Sequence, residues 1–120
     1  MKQIDYIGTE EELRKLAEAQ RKLAYKYAKI RNDFGQARWE VMLLLTPHLA
    51  EDKYRKASAE KQILMLLSDT LENHKAEVYG ICETYTKALQ QYKGLERILD
   101  ANSSRISAIQ SLLRYAREND

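Results

Sequence analysis

Residues that punctuate a β-rich fold are scarce in this chain. Across 120 residues there are one proline and four glycines, the glycines scattered singly. Strands joined by recurrent tight turns are therefore excluded as the main architecture. A single cysteine, Cys82, rules out an internal disulfide framework and fits a reducing compartment. Gly8, Gly35, Gly80 and Gly94 lie too far apart to form a phosphate-cradling loop. The longest apolar runs, 41–45 and 63–67, fall far short of the roughly 20 residues a membrane span needs. The opening MKQIDYIG lacks the apolar core of a secretory signal, so a soluble protein of the cytoplasm is expected. Charge is nearly balanced at +2, which implies no global pull towards nucleic acid or anionic lipid.

Helical periodicity is what the chain has in abundance. Alternating steps of three and four from Val78 reach Ile81, Tyr85, Ala88, Tyr92, Leu95, Leu99, Asn102, Ile106, Ile109, Leu113 and Ala116, and only Asn102 is polar. A second series runs Leu13, Leu16, Gln20, Leu23, Tyr27, Ile30, Phe34, Ala37, Val41 and Leu44, with Gln20 as its polar member. Such spacing keeps one seam of a helix turned towards a partner. Three helices are expected, over about 9–45, 53–67 and 70–118. Thr9 with Glu12 reads as a capping box at the start of the first, after an extended lead-in.

Thr46-Pro47 breaks the first helix, because the residue before proline is pushed out of the α region. The segments 39–45 and 63–67 are apolar on most sides, and packing one against the other would form a compact base. A break at 68–70 is favoured between the second and third helices, with Asp69 and Glu72 suited to cap the new start; the alternative is one continuous rod, since the seam phase traces back through His74, Leu71, Leu67 and Leu64. An unbroken helix from 70 to 118 spans on the order of 70 Å, against a radius of gyration of about 14 Å for a globule of this size. Either the molecule is elongated and self-associates, or the helix folds back at 101–104. The unbroken heptad phase favours the continuous helix. The expected fold is all-α, an elongated bundle or coiled-coil hairpin in one domain over 1–120. The self-association seam would be Tyr85, Tyr92, Leu95, Leu99, Asn102, Ile106, Ile109 and Leu113, in a homodimer.

The segment 14–31 carries Arg14, Lys15, Arg21, Lys22, Lys26, Lys29 and Arg31 against Glu18 alone, a local net of +6. Arg14 and Arg21 share one outer heptad position, and Lys15, Lys22 and Lys29 the next, with Tyr25 beside them. Cations along a helix can neutralise phosphates, and an aromatic neighbour can stack on bases. The plain alternative is the solvated outer face of an amphipathic helix. His48, His74 and Cys82 form no recognised ligand spacing, and no glutamate stands in the Glu-x-x-His pattern of a di-iron bundle. No catalytic residue, metal or cofactor is expected. Gln20 and Asn102 can each fix helix register, since a polar group in a seam tolerates few alignments.

The Thr9-Glu10-Glu11-Glu12 start, the basic first helix and the ending Ser104-Arg105-Ile106-Ser107-Ala108-Ile109-Gln110-Ser111-Leu112-Leu113-Arg114 resemble the short all-helical accessory proteins of bacteriophages and prophages. The resemblance implies a non-enzymatic protein, either accompanying recombination or replication machinery or blocking a host defence complex. It carries no functional residue over. The expected function is a helical interaction protein with a macromolecular, most simply a protein, partner. The alternative is a nucleic-acid-binding accessory factor using the basic segment.

Overall fold

The computed structural model describes residues 6–118. Helix α1 spans Tyr6–Leu45, followed by a 3-10 turn over Thr46–Ala50. Two short helices follow, α2 over Asp52–Arg55 and α3 over Ala59–Asp69. A second 3-10 turn, Glu72–His74, leads into α4, Lys75–Glu118. Among the described residues there is no strand, and the all-α expectation holds. The described residues divide into two compact units: 30–92, and 6–29 together with 93–118.

In the unit 30–92, the second half of α1 and the first half of α4 are joined by everything between them. Pro47 sits at the start of the 3-10 turn, where its missing N–H is no loss, and Glu51 is extended at the turn's end. The middle helix expected over 53–67 is two helices. Ser58 takes an extended conformation and its side chain accepts from the Lys61 N–H, which starts α3 afresh. The Gln62 amide also donates to the Tyr54 carbonyl oxygen at 2.6 Å, tying α3 to the end of α2. The break near 68–70 is present, since Thr70 and Leu71 are both extended. Asp69 does not cap the next helix, however. Its carboxylate turns to Lys53 and Tyr54.

The core of this unit is Val41, Leu45, Tyr54, Leu66, Val78 and Cys82. Leu44, Leu49, Ile63, Met65, Leu67, Ile81 and Tyr85 pack against it. Each aliphatic side chain fully buried here stabilises the fold by about 1.5–3 kcal/mol. The compact base expected from 39–45 and 63–67 thus forms through Val41, Leu45 and Leu66. It leaves Trp39, Met42, Leu43 and Leu64 exposed. A helix stripe can face only so much core, and here the apolar circumference of α1 is wider than what α2, α3 and α4 cover.

In the other unit, residues 6–29 of α1 lie antiparallel to residues 93–118 of α4. Arg117 pairs with Glu10, Arg105 with Glu12, and Gln20 with Leu99 and Ser103, so numbers rise on one helix as they fall on the other. Leu95, Ile109, Leu113 and Ala116 are buried on α4, whereas Leu13, Leu16, Leu23 and Tyr27 on α1 are half-buried. The helix passes through 101–104 without a fold-back. The extended lead-in expected over 1–8 is helical at 6–8, residues 1–5 lie outside the described residues, and α1 already includes Tyr6, so Thr9 is an interior residue and not a cap. Glu12, expected to reach back to that cap, accepts from Arg105 Nε and Nη2 at 2.9 and 2.7 Å.

Candidate functional site

Three surfaces bear on function, and each belongs to a single unit. The first is the cationic face of α1. Arg14, Lys15, Arg21, Lys22, Lys26 and Lys29 are all exposed, on the side of the helix away from its seam, and Tyr25 among them is 79% exposed. Glu11 lies 4.0 Å from Arg14 and 3.7 Å from Lys15, and such surface pairs are worth little. Among the described residues, Arg21, Lys22, Lys26 and Lys29 have no carboxylate within ion-pair distance. The structure therefore brings together all of the expected basic residues of this unit. Arg31 is also exposed but belongs to the unit 30–92.

The second surface is apolar and lies in the unit 30–92. A cleft of about 190 Å³ is lined by Phe34, Arg38, Val41, Met42 and Leu45 of α1, Ala59 and Ile63 of α3, and Tyr85 of α4. Phe34 forms its inner wall by stacking on Tyr85 and Tyr92, with ring centroids 5.7 and 4.9 Å apart. Beside it, Trp39, Met42 and Leu43 share one arc of α1, and Trp39 is 61% exposed. Gly35 sits one turn before Trp39 with open space where a Cβ would lie, so nothing overhangs that end of the arc.

The third surface is a polar knot around Tyr54, whose side chain is entirely buried. The Tyr54 hydroxyl donates to Asp69 Oδ2 at 2.7 Å, and Lys53 Nζ donates to the same oxygen at 2.9 Å. The Tyr54 ring packs on the His48 ring at 4.8 Å, and the Lys53 ammonium lies 5.4 Å from its centroid. These contacts set the charges. The hydrogen bond from Tyr54, then that from Lys53, hold the Asp69 carboxyl below its ordinary value. Burial, then the bond to Asp69, push the Tyr54 hydroxyl well up. The bond to Asp69 likewise raises Lys53. Tyr54 is thus held as a neutral donor and Asp69 as a carboxylate, which is an orienting arrangement and not a poised acid–base pair.

Of the residues weighed for soft-metal or nucleophilic chemistry, Cys82 is buried in the core, and burial pushes its thiol up, away from a reactive thiolate. His74 is exposed. His48 is brought together with Glu51 and Asp69, a grouping the sequence reading missed. Its signal was His48-x-x-Glu51, three residues apart in one turn, and a third member 18 residues further along had none.

The residues assigned to self-association are covered within the chain. Leu95, Ile109 and Leu113 are buried, Leu99, Asn102 and Ile106 are half-buried, and Tyr85 and Tyr92 stack on Phe34. No helix among the described residues is long and apolar enough to cross a membrane. In comparison with known proteins, the chain matches no family model, no curated protein and no solved structure.

Proposed function

We propose that the protein is a non-catalytic helical interaction module that docks an amphipathic segment of another protein on the apolar arc of α1. The observation that carries this reading is the exposure of Trp39, Met42 and Leu43 beside an apolar cleft, while the residues of both heptad seams are buried or half-buried. Large apolar groups grouped on a surface are what an interface uses. Arg38 lines the cleft, is exposed, and has no carboxylate partner among the described residues. The fitting segment therefore presents an apolar side chain to the cleft with a carboxylate next to it. Acting in the host cytoplasm on a host complex, as an accessory or inhibitor, is the role that the resemblance to phage accessory proteins suggests.

The test uses Trp39, the chain's one tryptophan. A partner captured by the wild-type chain should be lost with Met42→Glu and Trp39→Ala and kept when Lys15, Lys22 and Lys29 are all reversed to glutamate. The purified partner should also shift Trp39 emission to shorter wavelength. Capture indifferent to Met42→Glu would end this reading.

A second reading rests on the cationic face: a nucleic-acid-binding accessory factor using Arg14, Lys15, Arg21, Lys22, Tyr25, Lys26 and Lys29, with Arg31 further along the helix. Its support is the group of exposed cations around an exposed tyrosine, of which Arg21, Lys22, Lys26 and Lys29 have no carboxylate partner among the described residues. Anisotropy of labelled single- and double-stranded oligonucleotides should then fall steeply with salt and vanish with the triple charge reversal. The homodimer is a separate proposal. Since its seam is covered within the chain, it requires α1 to be exchanged between copies, and a strictly monomeric mass by light scattering at micromolar concentration would exclude it.

A further inference from the structure

We propose that His48, Glu51 and Asp69 form a binding site for a divalent ion of the Zn²⁺ type, where the first 3-10 turn, the start of α2 and the end of α3 meet. One ligand atom from each lies within 4.8 Å of the others. An imidazole nitrogen with two carboxylates is a borderline donor set, suited to Zn²⁺, Co²⁺ or Ni²⁺ more than to Mg²⁺ or Ca²⁺. Metal–ligand bonds of about 2.0–2.2 Å would put neighbouring donors about 3.4 Å apart around a tetrahedral ion. Closure therefore takes a shift of about an ångström, within reach of the exposed Glu51 side chain.

The backbone under the three residues is already set. The Glu51 N–H donates to the His48 carbonyl oxygen at 3.0 Å, which keeps both residues in one turn. The His48 ring rests on the buried Tyr54 ring. Asp69 is oriented through Oδ2, which accepts from the Tyr54 hydroxyl, and Oδ1 has no hydrogen bond among the described residues. A ligating carboxylate steered by a buried donor is the usual arrangement around a protein-bound metal.

Lys53 gives the site its character. Its ammonium sits on Asp69 at 2.9 Å and is itself a cation at this place. Two carboxylates still exceed one ammonium in charge, so a divalent ion is attracted, but it competes with Lys53 for Asp69. The bound ion would cross-link three elements that the fold otherwise holds through Tyr54. This inference does not depend on either reading of the protein's function.

The test is titration of Zn²⁺ into the metal-free full chain by calorimetry, with the visible absorption of Co²⁺ as a second readout. One ion per chain is expected. Glu51→Gln and His48→Gln should each weaken binding by about 10-fold or more, with the helical circular dichroism unchanged. Lys53→Met, which keeps the aliphatic stem and removes the competing charge, should tighten binding several-fold. A merely structural role for these residues would not produce that gain. The proposal is overturned by absence of heat and of a Co²⁺ band at millimolar metal. Binding that survives Glu51→Gln, or that Lys53→Met leaves unchanged, overturns it too, because the ion then sits elsewhere. Should His48→Gln fail to fold, the two exposed-residue variants still decide.

Discussion

The two units are built from the same two long helices and differ in what lies against them. In 6–29 with 93–118, one helix faces one helix. Every seam residue contributed by α1 stays half-open, and only α4 contributes buried side chains. In 30–92, α2, α3 and two 3-10 turns add a further layer, and α1 and α4 both supply buried residues beside Tyr54 and Leu66. A heptad seam is thus enough to pair helices. Removing side chains from water on all sides takes a third element. The two-helix unit should accordingly open more readily, since local stability follows buried apolar contact.

The comparison can be broken most forcefully at Tyr54. Tyr54→Ala should cost about 3–5 kcal/mol and, in hydrogen exchange, deprotect 30–92 far more than the opposite unit. Ile109→Ala is the counterpart in the two-helix unit. It should cost about 2–3 kcal/mol, near the lower end for such a truncation because a half-open seam can relax. Its effect on exchange should be confined to 6–29 and 93–118. Equal deprotection of both units by either variant would mean that they unfold as one.

Tyr54→Phe keeps the ring and removes the hydroxyl, and should cost about 1 kcal/mol by denaturant unfolding. The same link gives a pH dependence, best measured with chelator present. The folded value of Asp69 lies below its unfolded value, so its contribution is complete above the ordinary carboxylate range and is lost as pH falls through the lowered value. Lys53 is shifted up, so its contribution is complete below the ordinary lysine range and is lost as pH rises through the raised value. Asp69→Asn should flatten both limbs. The smallest effect is a gain. A Cβ at Gly94 would meet nothing within 4 Å, and Gly94→Ala should stabilise the two-helix unit by about 0.5–1 kcal/mol.

How far the sequence revealed this fold depends on the range of the signal. All residues of both heptad series are buried or half-buried, down to Gln20 and Asn102, because periodicity is a local record of which side of a helix is covered. The register device was legible as a pair of candidates. Of the two, Gln20 bonds across to the other helix: its amide donates to the Leu99 carbonyl oxygen at 3.0 Å and to Ser103 Oγ at 2.8 Å. Tyr54 was not legible at all. It stands among Asp52, Lys53, Arg55 and Lys56 in a helix of four residues, too short to show a period. It is buried with Val41, Leu45, Leu66, Val78 and Cys82, which only the tertiary fold brings near. The Thr9 capping box failed because α1 already includes Tyr6, which leaves Thr9 inside the helix, and Glu12 instead accepts from Arg105, 93 residues away in sequence. The exposure of Trp39 followed the same logic, since apolar composition records what a helix could bury and not how many neighbours arrive.

The chain order of the two units has a consequence for synthesis. The unit 30–92 is one continuous stretch, so it can form as soon as that stretch leaves the ribosome. The other unit joins residues far apart in sequence, as in the Glu10–Arg117 pair, and its α1 segment keeps an open seam until residues 93–118 have been made. Closing so long a loop directly is slow. A nascent chain whose residues up to 92 have just cleared the ribosome should therefore hold a folded 30–92 and an N-terminal segment with nothing to pair with, the state in which a chaperone or a second copy would find it most receptive.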